Sequence, residues 1–359
     1  MQLYYWMNKN NSIISIKNRE KIETHKKNTN IEKKYRNVVK KADILCENEI
    51  KISEIVMQIP SFFLYFHPII KYSDFKLAEI DYNRFEKCRV LQNSNKYYLL
   101  QYNNREKTIG FNDFFNEKTE KKELIMRMIN TIKSLIKMTE ILCGNQIVNT
   151  NLVPQSIIFN KDNSPVLVNF DNCFTLEEIE FERKDPINPI NLINQIKPHI
   201  NIIFSQYDPR KIHLPPEVHL LCYMNANKYN SLSIANIETV INDWFTSISL
   251  SPIGIYISKG LKDHYISSFR NLVNKPKNVI ECELYFFAET WNYYSLSIIM
   301  LYMISLNQYK LDHIFYMKFV DMCLQNLSSN KNTRKINKMT TFDNLLYSIS
   351  ETEWKSLFY

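Results

Sequence analysis

The chain has 359 residues, of which 45% are hydrophobic and 13% aromatic, so it holds enough apolar material for more than one packed core. Only 4 glycines occur and they are widely spaced, which excludes the glycine-rich phosphate loops of dinucleotide-binding and P-loop proteins. The 7 cysteines form no C-x-x-C pair, so we expect a reducing, intracellular compartment and no structural zinc. No apolar run approaches the roughly 20 residues that cross a bilayer.

The formal net charge of +8 has much of its excess in the opening stretch, residues 1–36, which we treat as a basic, partly ordered N-terminal arm. Two short runs in it, 3–7 and 12–16, are typical of strands, and lysines and arginines cluster between Lys17 and Lys41. A solvated tail is the simpler interpretation of this charge, and a contact with nucleic acid is the alternative.

Apolar spacing predicts the elements that follow the arm. Isoleucines and valine recur at helical spacing over 47–59 and stop at a proline, which predicts a helix ending there. Residues 76–91 and 96–102 are typical of strands. A single apolar face predicts a long helix over 118–143.

A hairpin follows the long helix, with strands at 157–159 and 166–168 and a polar turn between them. Residues 186–216 are rich in proline and predict an irregular segment. Beyond residue 217 the apolar spacing is helical, with segments near 217–226, 233–248, 261–273, 280–289, 293–306, 312–327 and 340–349.

Five short motifs occur in one order along this layout: N-T-N-L-V-P-Q-S at 149–156, V-N-F-D at 168–171, L-P-P-E at 214–217, W-N-Y-Y-S-L-S at 291–297, and N-T-R at 332–334. In that order they resemble H-R-D-L-K-P-x-N, D-F-G, A-P-E, the central helix and the conserved arginine of eukaryotic-type protein kinases. The resemblance is more specifically to divergent kinase-like proteins of large DNA viruses.

The resemblance covers about residues 37–350 and implies an α+β, two-lobed protein kinase-like fold. Its N-lobe, residues 37–103, would be small and mixed β/α, and its C-lobe, residues 104–359, would be larger and mainly helical. A helical protein with a coincidental hairpin is the alternative.

Several positions depart from the chemistry that the resemblance implies. Asn151 stands at the general-base position, and Val153 stands where the family has a phosphate-binding lysine. The metal-ligand positions carry Ser156 and Asn169, while Asp171 replaces the glycine of D-F-G. Losing a general base costs about 10²- to 10⁴-fold in rate, so we expect impaired catalysis and no bound metal, unless Asp171 holds one from its neighbouring position.

In protein kinases a lysine of the small lobe binds the nucleotide phosphates and pairs with a glutamate on a helix. By this resemblance the lysine would be Lys40 or Lys41, and the glutamate would be Glu49 or Glu54. The simpler interpretation is a pair of solvated lysines and a surface glutamate.

Adenine recognition would use the backbone of Gln101, Tyr102 and Asn103, which needs none of the missing acids. A pseudokinase would require no cofactor. ATP could still bind, and its binding should then not depend on Mg²⁺.

Glu217 and Arg334 take the positions of a structural ion pair that anchors the A-P-E segment. The alternative is that both are exposed charges whose pairing adds less than about 1 kcal/mol.

The leading functional hypothesis is a pseudokinase that acts as a binding or scaffold module for a protein partner, with Phe204 and Tyr207 on its contact surface. One alternative is an active, divergent Ser/Thr kinase whose acids have moved to Asp162, Asp171 or Asp185. Another is a nucleic-acid-binding protein that uses the basic arm. The host cytoplasm or a virion is the expected location.

Overall fold

The computed structural model describes residues 3–8, 11–16, 35–75, 96–105, 107–116, 119–184, 190–307, 313–335 and 339–348. The chain divides into two compact units, residues 1–108 with 166–172 and residues 109–165 with 173–359. The first unit is small and mixed β/α, and the second is mainly helical, so the predicted α+β class is confirmed. Most of the basic arm, the predicted strand at 76–91 and Asp185 lie outside the described residues.

The small unit contains a five-stranded antiparallel sheet in the order β1-β2-β3-β5-β4. Its strands are β1 (Leu3–Asn8), β2 (Asn11–Ile16), β3 (Tyr35–Lys41), β4 (Lys71–Phe75) and β5 (Tyr97–Asn103). The two strands of the arm therefore extend the sheet, because β2 pairs with β3 through Ile14 opposite Val39. The prediction of a strand over 96–102 is confirmed by β5.

One helix, α1 (Ile44–Gln58), packs on this sheet and ends two residues before Pro60, as its apolar pattern predicts. Asp43 caps its first turn, because the carboxylate accepts a hydrogen bond of 3.0 Å from the Cys46 amide. Beyond the helix, the His67 amide donates to the Leu167 carbonyl at 2.9 Å. This contact and its neighbours bring residues 166–172 into the small unit.

The helical unit contains ten helices among the described residues, and most of those beyond residue 217 lie where the apolar spacing predicts them. They are α2 (Phe111–Asn116), α3 (Lys121–Gly144), α4 (Pro198–Ile203), α5 (Pro216–Asn227), α6 (Ile234–Ser249), α7 (Lys259–Phe269), α8 (Lys277–Tyr285), α9 (Trp291–Asn307), α10 (His313–Asn326) and α11 (Met339–Tyr347). Helix α9 is buried nearly all round, which explains why its apolar residues follow no single stripe.

The remaining strands are short: β6 (Ile109–Gly110), β7 (Ile147–Asn149), β8 (Ile157–Phe159), β9 (Pro165–Leu167), β10 (Cys173–Thr175), β11 (Ile179–Lys184) and β12 (Ile190–Ile196). In the predicted hairpin, Asn163 occupies the left-handed region with φ of 64° and its amide donates to the Asn160 carbonyl. Asparagine tolerates this conformation better than most residues, so the turn follows directly from the sequence.

The prediction of an irregular segment over 186–216 is wrong in part. β11 and β12 form an antiparallel pair from Ile179 opposite Ile196 to Lys184 opposite Ile190, and α4 follows. The prolines flank these elements: two lie in the connection between the strands, and Pro198 is the first residue of α4, where proline is well tolerated.

Phe204 does not lie on a contact surface, because only 1% of the residue is exposed. Its ring packs against Phe174, Tyr285 and Trp291 at centroid distances of about 6 Å. Tyr207 is half-buried, and its hydroxyl donates to Asp243 at 3.1 Å. The expected aromatic contact surface in this segment is therefore reduced to Tyr207.

A search of the described helices finds none that is both long and apolar enough to span a bilayer.

Gly254 lies where the chain turns back on the end of α6, and we predict that Gly254→Ala destabilises the helical unit. An added Cβ would stand 2.1 Å from the Ser249 carbonyl oxygen and 2.7 Å from its carbon, which is backbone that cannot rotate away. The expected loss is about 1–3 kcal/mol of unfolding free energy, measured by denaturant titration. Gly144→Ala is the control, because its Cβ would meet nothing within 4 Å, and an equal loss in both variants would contradict the prediction.

Candidate functional site

A buried lysine of the small unit lies between two carboxylates. Lys40 Nζ is 2.7 Å from Glu49 Oε2 and 3.2 Å from Asp171 Oδ2. The side chains are 11%, 3% and 9% exposed, so water screens these charges poorly. We call Lys40, Glu49 and Asp171 the ionic cluster.

Each member of the ionic cluster comes from a different element of the small unit. Lys40 lies on β3 and Glu49 on the buried face of α1. Asp171 follows Asn169, whose φ of 66° turns the chain through the left-handed region. The Asn48 side-chain amide donates to the Asp171 carbonyl at 3.2 Å and so ties this segment to α1.

The second oxygen of each carboxylate in the cluster also accepts a hydrogen bond. The Tyr102 hydroxyl donates to Glu49 Oε1 at 3.3 Å, and the Asn172 side-chain amide donates to Asp171 Oδ1 at 2.8 Å. Buried carboxylates need such donors, because desolvation is costly unless their oxygens are hydrogen-bonded. Each carboxylate of the ionic cluster therefore accepts a hydrogen bond from a donor other than Lys40.

Charge in the cluster perturbs the titration of its neighbours. Burial alone would lower the pKa of Lys40, but the Glu49 and Asp171 carboxylates outweigh burial and raise it well above its usual range. Burial, followed by the nearby Glu49 charge, raises the pKa of Tyr102. Burial also raises the pKa of the Cys46 thiol to about 12, so this cysteine is a neutral, unreactive thiol.

The structure selects between the alternatives that the sequence leaves open for the lysine and the glutamate. Lys40 and Glu49 meet, whereas Lys41 and Glu54 are exposed. The acid beside Lys40 is Asp171, although Asn169 takes the D-F-G aspartate position when the motif is aligned without a gap. A sequence signal for this existed, because Asp171 is the only acid between residues 163 and 176 and a buried lysine needs a carboxylate.

The three residues expected to recognise adenine through their backbone lie at the end of β5, inside the sheet. The Gln101 carbonyl accepts the Ile70 amide at 2.8 Å, and the Asn103 carbonyl lies 2.8 Å from His67 Nε2. Tyr102 instead directs its side chain to Glu49. Adenine recognition by this backbone stays a prediction.

The loop at the catalytic positions belongs to the helical unit, and its side chains make local contacts. The backbone amide of Asn151 donates to the Asn149 side-chain oxygen, Oδ1, at 2.8 Å. The Ser156 hydroxyl donates to the Val153 carbonyl at 2.7 Å and accepts from the Val153 amide at 3.1 Å, so it closes a short turn. Asn292 anchors the preceding strand β7, because its side chain accepts from the Asn149 amide and donates to the Ile147 carbonyl. The side chain of Asn151 is a carboxamide, which cannot act as the general base that proton transfer needs.

Of the three predicted metal positions, Ser156, Asn169 and Asp171, the last carries an acidic side chain. No group of three or more histidine, cysteine, aspartate and glutamate side chains among the described residues is arranged to hold a metal ion. Ser156 is buried and engaged in its turn, while Asp171 offers one carboxylate. Mg²⁺ commonly binds through one or two carboxylates together with the phosphates of a substrate, so Asp171 suits an ion that arrives with a nucleotide.

Glu217 and Arg334 form a bidentate ion pair in the helical unit, and both side chains are 0% exposed. Arg334 Nη2 lies 2.8 Å from Glu217 Oε1, and Nη1 lies 3.3 Å from Oε2. The same guanidinium donates to the Tyr265 hydroxyl at 2.8 Å and to the Ser328 carbonyl at 2.9 Å. The pair thus fixes α5 to the turn after α10.

Two histidines, the half-buried His213 and the buried His219, contact backbone in and around the segment that leads into α5. The His213 ring hydrogen-bonds the backbone of Thr150 and the His213 carbonyl accepts from the Ser295 hydroxyl at 2.8 Å. His219 hydrogen-bonds the backbone of Lys211. Burial lowers the pKa of His213 to about 3 and that of His219 to about 4, so both rings are neutral at physiological pH.

The lysine–glutamate pair on β3 and α1 and the buried glutamate–arginine pair are the two ion pairs that the resemblance to protein kinases implies. No protein-family model matches the sequence, and no curated protein matches it. Among solved structures, the chain is similar to the kinase domain of a Toxoplasma gondii rhoptry antigen, with a TM-score of 0.44 and 8% identity. That match covers 96% of this chain and 81% of the other.

We predict that Glu217→Gln or Arg334→Met destabilises the helical unit by about 3–5 kcal/mol, because each leaves a buried charge without its partner. Denaturant unfolding of the purified chain measures this loss. Lys133→Met is the control, since it breaks the half-exposed pair between Lys133 and Asp343 and should cost less than about 1 kcal/mol. Equal losses of unfolding free energy in all three variants would show that the buried Glu217–Arg334 pair stabilises the chain no more than the half-exposed pair does.

We also predict that stability falls as the pH drops from about 6.5, the ordinary histidine pKa, towards about 4. In that window the unfolded chain binds protons at His213 and His219 and the folded chain does not, so protons favour unfolding. Each histidine contributes a slope of up to about 1.4 kcal/mol per pH unit. The measurement is the unfolding free energy against pH, in which His213→Gln and His219→Gln should each flatten the slope and the exposed variant His264→Gln should not.

Proposed function

We propose that the protein is a kinase-like nucleotide-binding protein in which phosphoryl transfer is impaired. The single observation that carries this proposal is the ionic cluster, in which Lys40 is held between Glu49 and Asp171. A buried ammonium in this arrangement suits the phosphates of a nucleotide. The amide of Asn151 at the base position accounts for the impairment.

Within this proposal each residue has a defined role. Lys40 binds phosphate oxygens, and Glu49 holds the ammonium in place. Asp171 would hold a Mg²⁺ ion that a nucleotide brings, and such an ion would supply neutralisation of phosphate charge. Asn151 can orient a hydroxyl by hydrogen bonding but cannot take its proton, which makes a binding or scaffold role more favourable than turnover.

The contact between Lys40 and Asp171 favours one second candidate, an active and divergent Ser/Thr kinase. The sequence predicts a metal position without charge at Asn169, whereas the contact puts a carboxylate beside the lysine. Such an enzyme would need a group other than Asn151 to take the hydroxyl proton, since losing a general base costs about 10²- to 10⁴-fold in rate. The viral origin, the protein partner and nucleic-acid binding by the arm stay predictions from the sequence.

Calorimetric titration with ATP tests the binding proposal. We expect the wild-type chain to bind ATP and Lys40→Met to lose binding, because the ammonium is the only cation in the cluster. Lys41→Met is the matched control, since Lys41 is the next residue on β3 and is exposed. Asp171→Asn should remove any gain in affinity that Mg²⁺ provides. Equal affinities of the two lysine variants would remove Lys40 from the site.

A phosphorylation assay with Mg²⁺ and ATP separates the two candidates. We expect Asn151→Asp to raise transfer by about 10²- to 10⁴-fold over a low wild-type rate. Robust transfer by the wild-type chain would instead establish the active kinase, and Asn151→Asp would then add little.

A further inference from the structure

We propose that Tyr102 is the positioning residue of the ionic cluster: its hydroxyl fixes the Glu49 carboxylate, and Glu49 in turn fixes Lys40. As a statement about nucleotide affinity this rests on the proposed function, whereas the effect on Lys40 itself does not. It adds a role for the side chain of Tyr102 to the backbone role that the sequence predicts.

The two oxygens of Glu49 are divided between two donors. Oε2 accepts from Lys40 at 2.7 Å and Oε1 accepts from the Tyr102 hydroxyl at 3.3 Å. The terminal torsion of a glutamate is broad, so a carboxylate held at one oxygen alone still turns. A donor at the other oxygen removes this freedom and keeps Oε2 directed at Lys40.

Tyr102 is itself held in place by ring stacking and apolar packing. Its ring stacks on His67 with centroids 5.4 Å apart and planes 12° apart. His67 Nε2 lies 2.8 Å from the Asn103 carbonyl, and burial lowers the pKa of His67 to about 4, so the ring is neutral and donates this bond. The tyrosine also packs beside the buried cluster that includes Cys46 and Leu100.

The same strand and helix carry a second tyrosine–glutamate contact that has no part in the cluster. The Tyr98 hydroxyl donates to Glu47 Oε1 at 3.3 Å, the same distance as the contact between Tyr102 and Glu49. Tyr98 is also buried, but Glu47 is exposed to solvent. Tyr98→Phe therefore removes one hydroxyl between β5 and α1 without touching the partner of Lys40, which makes it the matched control for Tyr102→Phe.

Chemical acylation of Lys40, followed by mass spectrometry of the full-length chain, reads out the cluster directly. Acylation requires the Lys40 amine to leave its contacts with Glu49 at 2.7 Å and Asp171 at 3.2 Å, so its rate reports how firmly the cluster holds the lysine. With the Tyr102 hydroxyl removed, Glu49 turns, Lys40 loses part of its stabilisation and acylation should become about three- to tenfold faster. Tyr98→Phe should leave the Lys40 rate at its wild-type value.

Three further measurements complete the experiment. The thermal midpoints of Tyr102→Phe and Tyr98→Phe should fall by similar amounts, which separates positioning from a general loss of stability. Placing 4-aminophenylalanine at position 102 retains a donor and should restore slow acylation. ATP affinity should fall about three- to tenfold in Tyr102→Phe and stay unchanged in Tyr98→Phe.

Acylation of Lys40 at the wild-type rate in Tyr102→Phe, or equal acceleration in both phenylalanine variants, would overturn the positioning role. If the wild-type chain does not bind ATP, the proposed nucleotide function fails, and the acylation rates still decide whether Tyr102 positions Glu49. Loss of ATP binding in Tyr102→Phe without faster acylation would likewise exclude an effect through Lys40.

Discussion

The small unit depends on burying one ammonium group between two carboxylates. Glu49 lies 9 positions from Lys40 along the chain, and Asp171 lies 131 positions from it. Because an unpaired buried charge is far costlier than a paired one, β3, α1 and the segment 166–172 must keep their mutual positions. This requirement explains why a short stretch of late sequence belongs to the unit formed by the first part of the chain.

The helical unit contains a comparable constraint in the pair between Glu217 and Arg334, which are 117 positions apart. Both side chains are fully buried, and Tyr265 and Ser328 each accept a further hydrogen bond from the guanidinium. The residues at the catalytic positions are different in kind, because Asn151, Val153 and Ser156 make contacts within a few residues of themselves. Long-range ionic contacts thus maintain the architecture, while the loop that would carry out proton transfer holds an amide.

A fold does not by itself specify catalysis, since function depends on particular side chains. Here the charges to which the proposal assigns phosphate and metal binding lie in the small unit, and the loop carries Asn151 at the position of the proton acceptor. This combination suits binding better than turnover. The Tyr102 hydroxyl donates a hydrogen bond to Glu49. Sites that must hold a fixed geometry usually contain such supporting hydrogen bonds behind their charged residues.

The sequence by itself determined the elements whose patterns are local: the helix α1 that ends before Pro60, the long helix α3, the hairpin turn at Asn163 and the helices beyond residue 217. It also identified Glu217 and Arg334 through motif order. Only the tertiary structure decided that Asp171 is the acid beside Lys40, that Tyr102 contacts Glu49 and that Phe204 is buried. These facts depend on contacts between residues far apart in the chain, for which apolar periodicity and motif spacing carry no information.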